Sequence, residues 1–250
     1  MKRLFLLIAF PLVLSMSARC VLAQKEMQLD EALLKNSKPM IAKPKGIGTV
    51  TKYQFGPYKI ASGKEGIATT TSKSRIFSAY SESKSKRKLS FVFVKDEKDS
   101  VVVNVSINTD ISELDATMAI GFSMINSIKE NFIAIFSVPS DTTTWRMMIG
   151  SVAGAGVKNG DNFNGVLTNG NTIIEIRDVD QWKTGKKASF GLSIGQVFHM
   201  QDESIAAVQA SADTFVKKTV WIREDIDSRL QLILAAASAA LMVRSEQVMD

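Results

Sequence analysis

The chain predicts a mainly β (α+β) fold. About 10–12 short antiparallel strands form a barrel or curled sheet around a buried hydrophobic C-terminal helix, with one additional amphipathic helix. Three observations carry this. Residues 230–243 read LQLILAAASAALMV, rich in Ala and Leu, poor in β-branched residues and apolar on every side. Such a run favours helix throughout and has to be enclosed. Short β-favouring pieces divided by turn residues occupy most of 46–222. Among those turns, Asn159-Gly160 and Asn169-Gly170 are hairpin dipeptides, because both residues take positive φ at low cost.

The C-terminal helix is expected over 226–244. Asp225 and Asp227 offer N-cap oxygens, and Arg244 brings positive charge to the last turn. Arg229 and Arg244 bracket an apolar run shorter than the roughly 20 residues a membrane span needs. A core helix is therefore expected, with no transmembrane span in the mature chain.

At the other end, Lys2 and Arg3 precede an apolar stretch over 4–14, and Val21-Leu22-Ala23 has the small-residue pattern of a cleavage site. Residues 1–23 read as a secretory signal peptide, which implies export to the periplasm or the extracellular space. Cleavage there removes Cys20, the only cysteine, so the remaining chain has no thiol and no disulfide staple. Attachment of lipid at Cys20 is disfavoured by Arg19, which stands where the lipoprotein peptidase needs a small residue. Loss of Lys2, Arg3 and Arg19 also lowers the formal charge of +6 by three, leaving a mildly basic protein.

Residues 24–45 are polar and lysine-rich, with Pro39 and Pro44 and a short helical patch at Leu29, Leu33 and Leu34, and read as a flexible, loosely held arm. A single β-rich domain follows over 46–250, long enough to bury a large core. Strands are expected at 49–55, 75–80, 89–95, 100–107, 132–138, 145–150, 165–167, 172–177, 190–194, 196–200, 205–209 and 218–222. In the third of these, Leu89, Phe91 and Phe93 share one face. Between 110 and 132 the period changes. Ile111, Leu114, Met118, Phe122, Ile125 and Ile128 recur at three- and four-residue steps, which predicts the amphipathic helix, with Asp110 as N-cap and Glu113 completing a capping box.

Strands followed by a buried terminal helix resemble the tubby-like superfamily, which includes tubby proteins, phospholipid scramblases and the plant LURP-one-related proteins. The resemblance is carried by 205–209 (IAAVQ), 219–222 (TVWI) and 225–243. It implies a closed β-barrel threaded by the terminal helix, and no functional residue follows from it. The chain is also similar to a family of exported bacterial proteins with this same ending, which implies no activity.

Few residues suggest chemistry. The single histidine, His199, could act as a general base oriented by Asp202 or Glu203, although a lone histidine at a strand rim is more often a bystander. One histidine and no mature cysteine disfavour zinc and other transition metals. The oxygen-bearing stretch 161–165 hints at calcium but lacks the acidic residue that closes such a loop. Gly154-Ala155-Gly156 and Gly160 lead into turn residues instead of the helix a dinucleotide site requires. A Gly-x-Ser-x-Gly spacing occurs at Gly191, Ser193 and Gly195, but the residues after it read as a strand and not as the helix a nucleophile elbow requires. Trp145 and Trp221 lie inside strand patterns and read as core or barrel wall, with Trp182 between them in the chain.

The densest positive cluster is Lys84, Lys86, Arg87 and Lys88, a candidate contact for an anionic surface. Only Tyr80 supplies an aromatic nearby, which disfavours nucleic acid. The functional expectation is an exported, non-enzymatic binding or structural module of the bacterial cell envelope, without cofactor or metal. Lipid, a membrane surface and an envelope protein stand as alternative partners. The competing expectation is an exported hydrolase that uses carboxylates as acid and base.

Overall fold

The computed structural model describes residues 25–45, 50–66, 68–74, 80–115, 123–139, 141, 143–154, 164–188, 193–211 and 216–247. In chain order they form α1 (Glu31–Asn36), β1 (Met40–Ile41), β2 (Lys43–Lys45), β3 (Lys52–Phe55), β4 (Tyr58–Glu65), β5 (Thr69–Ser74), β6 (Tyr80–Lys95), β7 (Asp99–Asp115) and β8 (Ser123–Ser137). The second half holds β9 (Thr144–Gly154), β10 (Asn164–Thr168), β11 (Ile173–Val179), β12 (Gly195–Met200), β13 (Glu203–Gln209), β14 (Thr219–Ile222) and α2 (Ser228–Gln247).

The strands join one antiparallel sheet in the order β1-β14-β13-β12-β11-β10-β9-β8-β7-β6-β4-β3-β2, with β5 also paired to β6. The two ends of that path are neighbours in sequence. Met40 and Ile41 pair with Val220 and Thr219, the Ala42 N–H donates to the Lys218 carbonyl at 2.9 Å, and Lys43, Pro44 and Lys45 pair with Gln54, Tyr53 and Lys52. One six-residue stretch thus bonds to both flanks and makes a nearly closed barrel. The expected barrel and its terminal helix are both present.

The helix is inside because its sequence leaves it no exposed face. From Leu232 to Val243 no residue is more than 4% exposed, and α2 touches β6, β7 and β8 as well as β13 and β14, from well-separated parts of the sheet. Asp227 caps it, its carboxylate accepting from the Arg229 and Leu230 N–H groups. Asp225 is used otherwise, paired with Arg223. The buried Ser238 hydroxyl is satisfied by donating to the Leu234 carbonyl at 2.8 Å. Alanines keep the helix slender, leaving room for Phe55, Phe91, Phe93, Phe132, Phe136 and Phe198 from the inner wall. Leu89, Phe91 and Phe93 do share the inward face.

The amphipathic helix expected over 110–132 is absent from the described part of that segment. Residues 110–115 belong to β7 and 123–132 to β8, while 116–122 lie outside the described residues. Asp110 and Glu113 both sit in β7 and not at a helix start. The physical reason lies in the pairing. A register shift at Ser112/Glu113 places Ile111 opposite Ile128 and Glu113 opposite Ile125. This bulge gives Ile128 and Ile125, three residues apart, register positions of the same parity, so a strand imitates a helical step.

Strand length is also corrected: β6, β7 and β8 run for 16, 17 and 15 residues. The expected strand at 75–80 coincides with described structure only at Tyr80, and that at 190–194 has its described residues, Ser193 and Ile194, outside any strand. The Asn159-Gly160 turn lies outside the described residues. Asn169-Gly170 opens the four-residue connection from β10 to β11, where the Asn169 side-chain oxygen accepts from the Asn171 and Thr172 N–H groups.

Within residues 24–45, expected as a loosely held arm, a few side chains are anchored. Met27 and Leu33 are buried with Ile194, Val197, Ala207 and Trp221 in a second apolar cluster outside the barrel wall. Strands β12 to β14 are therefore covered on both faces, by α2 within and the N-terminal segment without. This is why β13 and β14 read as almost continuous apolar runs. Gly195 permits the close approach, because a Cβ there would lie 2.8 Å from the Met27 sulfur and 2.1 Å from the Val208 carbonyl oxygen.

Candidate functional site

With odd-numbered residues of β6 turned inward from Leu89 to Phe93, even-numbered ones face out. Lys84, Lys86 and Lys88 follow that parity and form an exposed row on the outer wall. Arg87 does not join them. Its guanidinium Nε lies 3.3 Å from the Glu65 carboxylate on the other side of the strand, with both side chains largely covered. The sequence cluster of four is thus split into three outward lysines and one paired arginine. Among the described residues, no ion pair engages Lys86 or Lys88.

Register extends this row across the barrel. Lys86 stands opposite Asn108, Asn108 opposite Asn131, and Asn131 opposite Gly150, with Thr69 on the far side of Lys86. The next outward rung runs from Lys88 through Ser106 and Ile133 to Met148 and Val166. Val102, Ile133, Ile135 and Met148 are each between 36% and 44% exposed. These bulky apolar side chains form an exposed patch on the solvent face of a barrel whose inner face is already apolar.

Two depressions meet on this wall and share Asn108 and Asn131. One, of about 490 Å³, is bounded by Ile133, Met148, Gly150 and Val166. The other, of about 420 Å³, is bounded by Thr69, Thr71, Lys84 and Lys86. None of Asn108, Asn131, Ile133, Met148 and Gly150 was singled out from sequence. The available signal was weak, an Asn or Gly within an apolar strand, and only pairing shows that they share a surface.

His199 lies two strands beyond Val166, with Glu175 between them in register. His199 is half-buried in β12, with its Nδ1 3.4 Å from the Ser204 hydroxyl, which donates to the Asp30 carboxylate. Burial holds its pKa below the usual imidazole value, helped by Arg177 and opposed by Asp30, Glu175 and a hydrogen bond to the Asp202 backbone. The acids expected to orient it are engaged elsewhere. Asp202 lies 3.6 Å from Arg177, and Glu203 lies 2.6 Å from Arg223. Ser204 is buried and already committed to Asp30, so the trio Asp30, Ser204 and His199 works as a clamp on the N-terminal segment.

A further polar cluster anchors the end of α2. Tyr53 donates its hydroxyl to Glu246, and Lys218 lies 3.1 Å from the Ser245 hydroxyl and over the Tyr53 ring. Burial lowers the Lys218 pKa, with Glu246 opposing it. Trp145 and Trp221 are wall residues, Trp221 in the outer cluster, and Trp182 packs beside it under Lys25. Of the 161–165 stretch, only Asn164 and Gly165 are described, at the start of β10; Gly154 ends β9, and 155–163 lie outside the described residues.

Among the described residues, no group of three or more His, Cys, Asp or Glu could hold a metal ion. No described helix is long and apolar enough to cross a membrane, which says nothing about strands. Comparisons with known protein families, with curated proteins and with solved structures give no match.

Proposed function

We propose that this chain is an exported, non-enzymatic binding module of the cell envelope whose outer barrel wall rests on an anionic lipid surface. The observation that carries the reading is the adjacency of the outward lysine row (Lys84, Lys86, Lys88) to the exposed patch of Val102, Ile133, Ile135 and Met148. Lysines meet phosphate-level charge while apolar side chains enter the interfacial layer, a division of labour common to peripheral membrane surfaces. The nearly closed barrel around a terminal helix also agrees with kinship to the tubby-like superfamily.

Export rests on the basic, apolar and small-residue segments of 1–23. The competing hydrolase would need two carboxyl groups facing each other across a cleft. Two acid pairs among the described residues instead share an arginine: Glu203 with Asp225 on Arg223, and Glu175 with Asp202 on Arg177.

Vesicle sedimentation tests the surface contact. At about 1 kcal/mol for each basic residue near an anionic membrane, replacing Lys84, Lys86 and Lys88 with Ser should reduce partitioning onto vesicles containing phosphatidylglycerol by about a hundredfold. Unchanged partitioning, or equal binding to neutral phosphatidylcholine vesicles, would remove the proposal.

A further inference from the structure

We infer that the twin depression that meets at Asn108 and Asn131, with Gly150 on the floor of its apolar half, is a discrete site for a single-chain anionic amphiphile, with its acidic head at Lys86 and Asn108 and its chain along Ile133, Met148 and Val166. The inference rests on the lipid-facing reading of this wall and deepens it, from a surface that touches many lipids to a seat for one molecule.

The shape comes from what Gly150 lacks. Its position in β9 faces outward, as does that of Met148 two residues before it, and a Cβ built there would meet nothing nearer than the Asn131 side-chain oxygen at 4.0 Å. A glycine in mid-strand lowers β-propensity and packs nothing. Here it leaves a floor between neighbours that stand high, Ile133 and Met148 on the apolar side and Asn131 on the polar side. Gly165 does the opposite. A Cβ at that position would lie 2.8 Å from Ile176, so close packing of the inner wall accounts for it.

The polarity changes along a diagonal. From β6 the lining passes through Lys86 to Asn108 and Asn131 and then, one outward position further along β8, to Ile133, Met148 and Val166 on β8, β9 and β10. Four strand spacings cover about 19 Å, enough for a charged head and a medium-length alkyl chain. A positive end, neutral hydrogen-bonding groups in the middle and an apolar end match an anionic amphiphile in one orientation. A cationic amphiphile would place its charge against Lys86, and a free anion would leave the apolar half unused.

Isothermal titration with laurate, kept below micelle formation, tests this. Saturable binding of one laurate per chain is expected, with no binding of dodecyltrimethylammonium or of inorganic phosphate alone. Gly150→Leu fills the floor and suits a strand, so the variant should melt as the parent does while losing about tenfold or more in laurate affinity. Lys86→Glu is the second variant and should weaken laurate while leaving the apolar half intact.

Absence of laurate binding, equal binding of the cationic amphiphile, or laurate affinity unaffected by Gly150→Leu would each overturn the site. Vesicle sedimentation of the parent chain separates the two ideas. Vesicle binding with no laurate site ends this inference alone, whereas laurate binding without vesicle binding ends the membrane-surface reading.

Discussion

The Gln209 side chain holds the backbone of Met27, 182 residues away in the chain: its carbonyl oxygen accepts the Met27 N–H at 2.7 Å. The other end of the same amide donates to the Lys25 and Lys217 carbonyls, each at 3.0 Å. Gln209 is wholly buried at the end of β13, so one side chain ties the N-terminal segment to the loop before β14. Gln209→Leu would leave these backbone groups unmatched in an enclosed place. A loss of about 3 kcal/mol in urea unfolding is expected, with earlier proteolysis before Met40. A change below about 0.5 kcal/mol would show that the segment contributes little to stability.

The barrel core depends on the volume of α2. Leu234 is fully buried, and Leu234→Ala should reduce stability by about 2–5 kcal/mol through lost contacts and the cavity left behind. Ala236 is equally buried, and Ala236→Leu should destabilise by about 1–3 kcal/mol through overpacking. Parent-like melting of both variants would place the helix outside the packed core.

Alkali should reveal two tyrosines. Burial, aided by Asp96, pushes the Tyr58 hydroxyl up to about 12, while burial and then the bond to Glu246 raise Tyr53 further. The unfolded chain releases the Tyr58 proton near pH 10, before the folded chain does. The stability this group contributes is thus complete below about pH 10 and falls as pH rises toward about 12. Phenolate absorbance should show Tyr58 titrating late and Tyr53 only on unfolding. Two more tyrosine protons lost near pH 10 in the native state would contradict the burial.

His199 acts in the acid range with the opposite trend. Its folded pKa lies below the ordinary imidazole value, so the unfolded chain takes up the proton first as pH falls. Stability from this group is present above about pH 6.5 and is lost as pH drops through the folded pKa. Urea midpoints measured between pH 7 and 5 should fall less for His199→Gln than for the parent. Equal slopes would mean that burial does not oppose the charged ring.

The 12-residue apolar core of α2, its Asp227 cap and the inward set Leu89, Phe91 and Phe93 were legible from the chain alone, because each depends on neighbours within a turn or along one strand. The β12–β13 hairpin shows where such signals end. Gln201 and Asp202 both take positive φ, at 52° and 64°, in a two-residue turn whose residues gave no hairpin signal. Tertiary structure alone decided that residues 110–115 and 123–132 are strands. There, hydrogen bonds to β6 and β9 as well as between β7 and β8 outweigh a local helical period, one step of which, Ile125 to Ile128, a bulge accommodates within the strand. It also decided that Arg87 leaves the lysines for Glu65 and that Lys86, Asn108, Asn131 and Gly150 lie side by side. Cross-strand register joins residues tens of positions apart, and no pattern read along one chain contains that distance.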